Sequence, residues 1–130
     1  MENTGIKVLV LDDEEGITFY TSKLLESKGY TVCGVQTAQD AINKYKEFQP
    51  DISLLDVYLE NSAMDGLQVL EEIKKIDPQS IAIMVSRVSD PASIDNAKAL
   101  GAFNYLFKPL EFETMFNEVR EAAKEVKRRR

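Results

Sequence analysis

The sequence predicts an α/β fold, a doubly wound parallel sheet of five strands with helices on both faces, and two patterns carry that prediction. Short β-rich apolar runs alternate five times with amphipathic helical segments along the chain. Acidic residues then stand directly after the first and third apolar runs, at the carboxyl edge where open parallel sheets collect their binding sites.

Each element has its own local signal. Lys7–Leu11 (Lys-Val-Leu-Val-Leu) reads as the first strand, and Ile17–Lys28 as a helix that Gly29 ends. Thr31–Val35 is β-branched and strand-like. Thr37 is a capping residue for the helix Ala38–Phe48, in which Ala41, Ile42, Tyr45 and Phe48 recur at helical spacing. Pro50 and Asp51 introduce the strand Ile52–Leu55. Asp65-Gly66 supplies a turn and a helix start for Leu67–Lys75, which carries Leu67, Leu70 and Ile73 on one face. Ser80–Val85 is an apolar strand. Pro91 fits the first turn of a helix that runs to Leu100 and stops at Gly101. Phe103–Phe107 is the last strand. Glu111–Lys127 is the last helix, with Phe112, Met115, Val119, Ala122 and Val126 in its apolar stripe. Right-handed crossovers leave few topologies for such a chain.

Composition narrows the function. The 130 residues fit one domain, residues 1–130. A net charge of −6, from 22 acids against 16 bases, argues against a nucleic-acid surface over the domain and predicts no direct nucleic-acid binding. Histidine is absent, which removes a histidine base, nucleophile or metal ligand. Cys33 is the one cysteine, so neither a disulfide framework nor a cysteine zinc site is available. The N-terminus lacks a signal-peptide pattern, and no apolar run approaches the roughly 20 residues of a membrane span. The expected location is the cytoplasm, with no membrane partner.

The acids at the strand ends point to chemistry. Asp12 and Asp13 follow the first strand and Asp56 the third. If those strands are neighbours, the three carboxylates share a pocket. Like charges at such range repel, and a hard cation relieves them. Mg²⁺ suits such a site, because it takes oxygen ligands, uses one or two carboxylates and binds phosphate oxygens. A lone Asp after a strand is commonly a cap or turn residue; a doublet plus a third at matching ranks is a stronger signal. Two other strand ends add complementary groups. The hydroxyl of Ser86 can donate to a phosphoryl oxygen, although a serine there equally suits a turn. Lys108 precedes Pro109, a candidate cis-proline, and its ammonium can balance the acids and hold a phosphoryl oxygen. Together they read as a phosphoryl-transfer site in which Asp56 is the nucleophile and forms an acyl phosphate. A carboxylate ionised at neutral pH needs no general base.

These motifs resemble those of the receiver domain of two-component response regulators: Asp12-Asp13 after the first strand, Asp56 after the third, Ser86 after the fourth and Lys108-Pro109 after the fifth. The resemblance covers roughly Ile6 to Val126. It implies a flavodoxin-like sheet in the order 2-1-3-4-5. It implies that Asp13 and Asp56 ligate Mg²⁺ directly, that Asp12 acts mainly through water, and that the backbone carbonyl of Tyr58 is a third protein ligand. The implied donor is a phosphohistidine on a sensor histidine kinase or phosphotransfer protein. Tyr105 matches the family's switch aromatic. With Ser86 it would remodel the surface formed by the fourth helix, fifth strand and fifth helix, which an output domain, effector or second copy of the chain reads.

Two features depart from the family pattern. The loop from Val57 to Met64 is about two residues longer than usual, with the added residues around Glu60–Ala63, and it lacks the usual proline. Arg87 occupies a position that is ordinarily small. Arg87, Val88 and Glu60 are therefore candidate modulators of phosphorylation and dephosphorylation. The basic residues from Lys124 to Arg130 suit the negative end of the last helix, or lead toward an output domain. A receiver-like interaction module that is never phosphorylated is the alternative reading. An aspartyl phosphohydrolase fits less well, because those enzymes commonly place Asp-x-Asp, not an adjacent pair, after the first strand.

Overall fold

Alternation of apolar side chains decides the architecture. In the first strand Val8 and Val10 share one face and Leu9 and Leu11 the other, and all four are buried. A strand buried on both faces needs cover on both, and the computed structural model of the chain supplies it. The structure describes residues 3–60, 62–87 and 90–130. The elements run β1 (Lys7–Leu11), α1 (Glu15–Ser27), β2 (Thr31–Val35), α2 (Ala38–Phe48), β3 (Ile52–Asp56), α3 (Gly66–Ile76), β4 (Ile81–Ser86), α4 (Pro91–Ala99), β5 (Asn104–Phe107) and α5 (Phe112–Arg129).

The five strands form one sheet in the order β2-β1-β3-β4-β5, with every pairing parallel. This is the order the family resemblance implied. The chain reverses its winding between β1 and β3, so those neighbours flank the topological switch point. Leu9, Leu11, Leu55 and Met84 pack with Ile42, Tyr45, Leu70, Ile73 and Ala97, which places α2, α3 and α4 on one face. Val8, Val10, Leu54 and Ile83 pack with Leu25, Met115, Val119, Ala122 and Val126 of α1 and α5 on the other. Among the described residues, no helix is long and apolar enough to cross a membrane.

Boundaries shift from the sequence reading by small amounts that matter locally. α1 begins two residues early, with Glu14 as N-cap and Glu15 in the first turn, where an acid complements the helix dipole. α5 extends to Arg129, so its cations sit in the last turn. Asp56 and Ser86 end their strands rather than follow them, so the sheet ladder fixes their backbones.

The start of α3 is tied to β3 by packing that the sequence conceals. Asp65 caps the helix in a reciprocal capping box with Gln68. Gly66 donates its N–H to the Val57 carbonyl at 2.7 Å. A Cβ on Gly66 would collide with the Asp56 carbonyl, whereas one on Gly16 would meet nothing within 4 Å. Gly66→Ala is therefore expected to lower stability by about 2–3 kcal/mol in urea unfolding. Gly16→Ala is expected to be neutral or to stabilise α1 by up to about 1 kcal/mol. Equal effects of the two changes would contradict this packing.

Candidate functional site

Adjacency of β1 and β3 brings the predicted acids together. One carboxylate oxygen each from Asp12, Asp13 and Asp56 lies within 4.8 Å of the others. Asp12 is buried. Its Oδ1 accepts the Glu14 N–H at 2.9 Å, and its Oδ2 accepts from Lys108 Nζ at 2.8 Å. The buried Thr18 hydroxyl donates toward the Asp12 and Glu14 carbonyls, at 2.8 and 3.1 Å, and pins the β1–α1 turn. Asp13 is half-buried, and its Oδ2 accepts the Glu60 N–H at 2.9 Å. That bond fastens the β3–α3 loop to the acidic pair.

Lys108 is far from an ordinary surface lysine. Its side chain is 11% exposed, and its Nζ also donates to Asp56 Oδ2 at 3.1 Å. Its backbone N–H donates to the Ser86 carbonyl at 2.7 Å, and the Lys108–Pro109 peptide is cis, as the sequence suggested. Burial alone would lower the Lys108 pKa, but the hydrogen bond and charge of Asp12, with those of Asp56, outweigh it and hold the pKa raised. Asp56 departs from the ordinary carboxylate expected from sequence. Burial pushes its pKa up to about 6; Lys108 opposes the rise, and Asp12 and Asp13 add to it.

The remaining predicted residues divide into three groups. Tyr58, Glu60 and Arg87 line a cavity of about 230 Å³ together with Asp13 and Asp56. Tyr58 is 49% exposed. Ser86 is fully buried at the end of β4, in register with Phe107. Tyr105 is half-buried on β5 against the α2–α3 side of the core, with its ring 5.6 Å from that of Phe107. Val88 lies outside the described residues. A second cavity of about 560 Å³ opens beside Asp12, Asp56 and Lys108, walled by Ile17, Tyr20, Leu24 and Phe112.

The donor set fits a hard divalent cation. All the convergent side-chain ligands are carboxylate oxygens, and the single Lys108 ammonium leaves their charge only partly balanced. Sequence reasoning missed three contacts that support this pocket: the Thr18 hydroxyl on the β1–α1 turn, the close backbone approach of Gly66 to Asp56, and the Glu60 amide on Asp13. Thr18, four residues beyond Glu14 in a helix, carried a weak signal, since threonine can bond back to a carbonyl one turn earlier. The other two are backbone contacts with no side-chain signature.

Fold and site together define an open parallel α/β protein with a buried, lysine-bridged acidic pocket at its switch point. The chain matches the response regulator receiver domain over residues 8–120, and it belongs to that family, whose function is to accept a phosphoryl group. It is 32% identical over 108 residues to the chemotaxis protein CheY of Thermotoga maritima, covering 82% of this chain and 88% of that protein. It is 28% identical to sporulation initiation phosphotransferase F of Bacillus subtilis, over 91% of this chain and 90% of the other. The crystal structure of a CheY-like response regulator receiver domain protein from Methanospirillum hungatei aligns at a TM-score of 0.90 and 26% identity, covering 96% and 98% of the two chains.

The raised pKa of Asp56 links stability to pH. Its folded value of about 6 lies above the ordinary 3.8, so folding favours the neutral carboxyl. That stabilising contribution is complete below about pH 4 and is lost as pH rises through about 6. In metal-free protein at about pH 7.5, Asp56→Asn is therefore expected to raise unfolding free energy by about 1–2 kcal/mol, with the gain gone near pH 4. Unchanged stability at the higher pH would contradict the burial account.

Proposed function

We propose that this receiver takes its phosphoryl group on Asp56, from a phosphohistidine on a sensor histidine kinase or phosphotransfer protein. The observation that carries this reading is the buried Lys108 ammonium shared by Asp12 and Asp56, with Asp13 in the same pocket. An Asp56 oxygen attacks phosphorus, the P–N bond of the donor breaks, and the imidazole leaves with the bonding pair. Lys108 is positioned to follow the charge from the carboxylate to the phosphoryl oxygens. The chain catalyses only its own modification and its reversal.

Asp13, Asp56 and the Tyr58 carbonyl are the proposed Mg²⁺ ligands, with Asp12 acting through water. Mg²⁺ bound there supplies the positive charge that favours ionised Asp56 and neutralises the incoming oxygens. The Ser86 hydroxyl and the Tyr105 ring are the proposed switch. Phosphorylation shifts the balance between two arrangements only by binding one better than the other. Ser86 donating to the phosphoryl group, with Tyr105 repacking against β5, provides that difference. The α4–β5–α5 surface would then present the change to an output domain, effector or second copy of the chain. The proposed setting is the cytoplasm, as one domain over residues 1–130.

Incubation with acetyl phosphate tests the reading. Phosphate incorporation, followed by intact-protein mass spectrometry, is expected with Mg²⁺ and to vanish when a chelator is added or in Asp56→Asn. Lys108→Ala is expected to retain some incorporation but to slow it by roughly tenfold or more, through loss of the charge beside the oxygens. Incorporation at the native rate in Asp56→Asn would overturn the assignment. No incorporation in the native chain would favour a receiver-like interaction module.

A further inference from the structure

We infer that Arg87 gates the phosphoryl pocket: it rests on Glu14 in the unmodified protein and moves onto the phosphoryl oxygens once Asp56 is modified, where it slows hydrolysis. This rests on the reading of Asp56 as acceptor. Arg87 follows Ser86 directly, at the end of β4, and its Nη2 lies 2.6 Å from Glu14 Oε1 at the N-cap of α1. The ion pair therefore joins the β4–α4 and β1–α1 connections across the carboxyl edge of the sheet. Arg87 also lines the small cavity that it shares with Asp13, Asp56, Tyr58 and Glu60.

Charge and exposure decide where the guanidinium goes. Its side chain is 66% exposed and that of Glu14 50%, so their attraction is screened by water and salt and readily exchanged. The Lys108 side chain is only 11% exposed and is already held by two carboxylates. Among the described residues, Arg87 is the one cation lining the small cavity, whose other lining residues are Asp13, Asp56, Tyr58 and Glu60. Modification of Asp56 replaces one carboxylate charge with a phosphoryl group of nearly two charges and three acceptor oxygens. A guanidinium can bind either anion, but the nearly doubly charged phosphoryl group attracts it more strongly than the singly charged, half-exposed Glu14 carboxylate.

The same position controls hydrolysis. Water must approach phosphorus in line, opposite the Asp56 oxygen; a P–O bond to water forms as the acyl P–O bond breaks, leaving the carboxylate and inorganic phosphate. The small cavity that Arg87 lines borders Asp56, and a guanidinium seated there on the phosphoryl oxygens would narrow the path of that water. Glu14 is then a positioning residue for the unmodified state, keeping the entry open for the donor.

The test follows the lifetime of the acyl phosphate. The full chain and its variants are labelled with acetyl phosphate and Mg²⁺, the donor is removed, and the decay is read by intact-protein mass spectrometry. Arg87→Ala is expected to shorten the lifetime roughly three- to tenfold, with Arg87→Lys in between. Glu14→Gln, which frees the arginine, is expected to leave the lifetime unchanged or longer. Opposite or unequal behaviour of the two partners is what a merely structural ion pair would not give. A lifetime within about twofold of native in Arg87→Ala, a longer one, or the same shortening in both variants would overturn the inference. Label retained in Asp56→Asn, or no label in the native chain, would instead fault the assignment of Asp56.

Discussion

Two carboxylates and one ammonium, all nearly withdrawn from solvent, hold the carboxyl edge of this sheet together. Lys108 leaves the end of β5, passes the end of β4 and reaches Asp56 of β3 and Asp12 beyond β1. Charges buried to this degree are tolerated only as a hydrogen-bonded set, and Lys108 is the member whose loss would leave two buried carboxylates without a counter-charge, whereas neutralising Asp56 relieves the excess of negative charge. The arrangement is therefore poised. Without a cation it carries more negative than positive charge, and burial keeps Asp56 reluctant to ionise. A divalent cation in the pocket would relieve that imbalance, whereas a phosphoryl group adds to the negative charge that a cation and Lys108 would then have to balance.

The scaffold keeps the pocket in place through contacts that do no chemistry. Thr18 fixes the turn that presents Asp12 and Asp13. Gly66 lets α3 start against the backbone of Asp56, so that residue is clamped between the sheet and a helix N-terminus. The Glu60 amide ties the β3–α3 loop to Asp13. On the far side Ser86 is buried and its carbonyl anchors the Lys108 backbone, so β4 and β5 end as one unit. Movement of Ser86 toward a phosphoryl group would thus be felt at Lys108 and along β5, where Tyr105 lies.

Much of this was legible in the sequence because it obeys one-dimensional rules. Alternation of Val8 to Leu11 specified a strand covered on both faces, and Thr37, Asp65 and Pro91 marked helix starts by their own chemistry. Asp12, Asp13, Asp56 and Lys108 were legible because each ends a strand on the same edge of a parallel sheet, and topology alone brings them together. Strand order was less accessible: five apolar runs fit several windings, and only the family resemblance selected one. Burial was not legible either, so Asp56 was expected to be an ordinary carboxylate, whereas its pKa rises to about 6. The partner of Arg87 was equally hidden. Glu14 lies 73 residues away, and the sequence says only that both side chains stand near the same edge.

In the proposed reaction one carboxylate, that of Asp56, becomes the acyl phosphate. The most direct test is reductive trapping of the phosphorylated chain, which converts an acyl phosphate into a stable alcohol, followed by peptide mass mapping. The converted residue is expected at Asp56, with Asp12 and Asp13 unmodified. Conversion at another acid, with Asp56 untouched, would contradict this assignment.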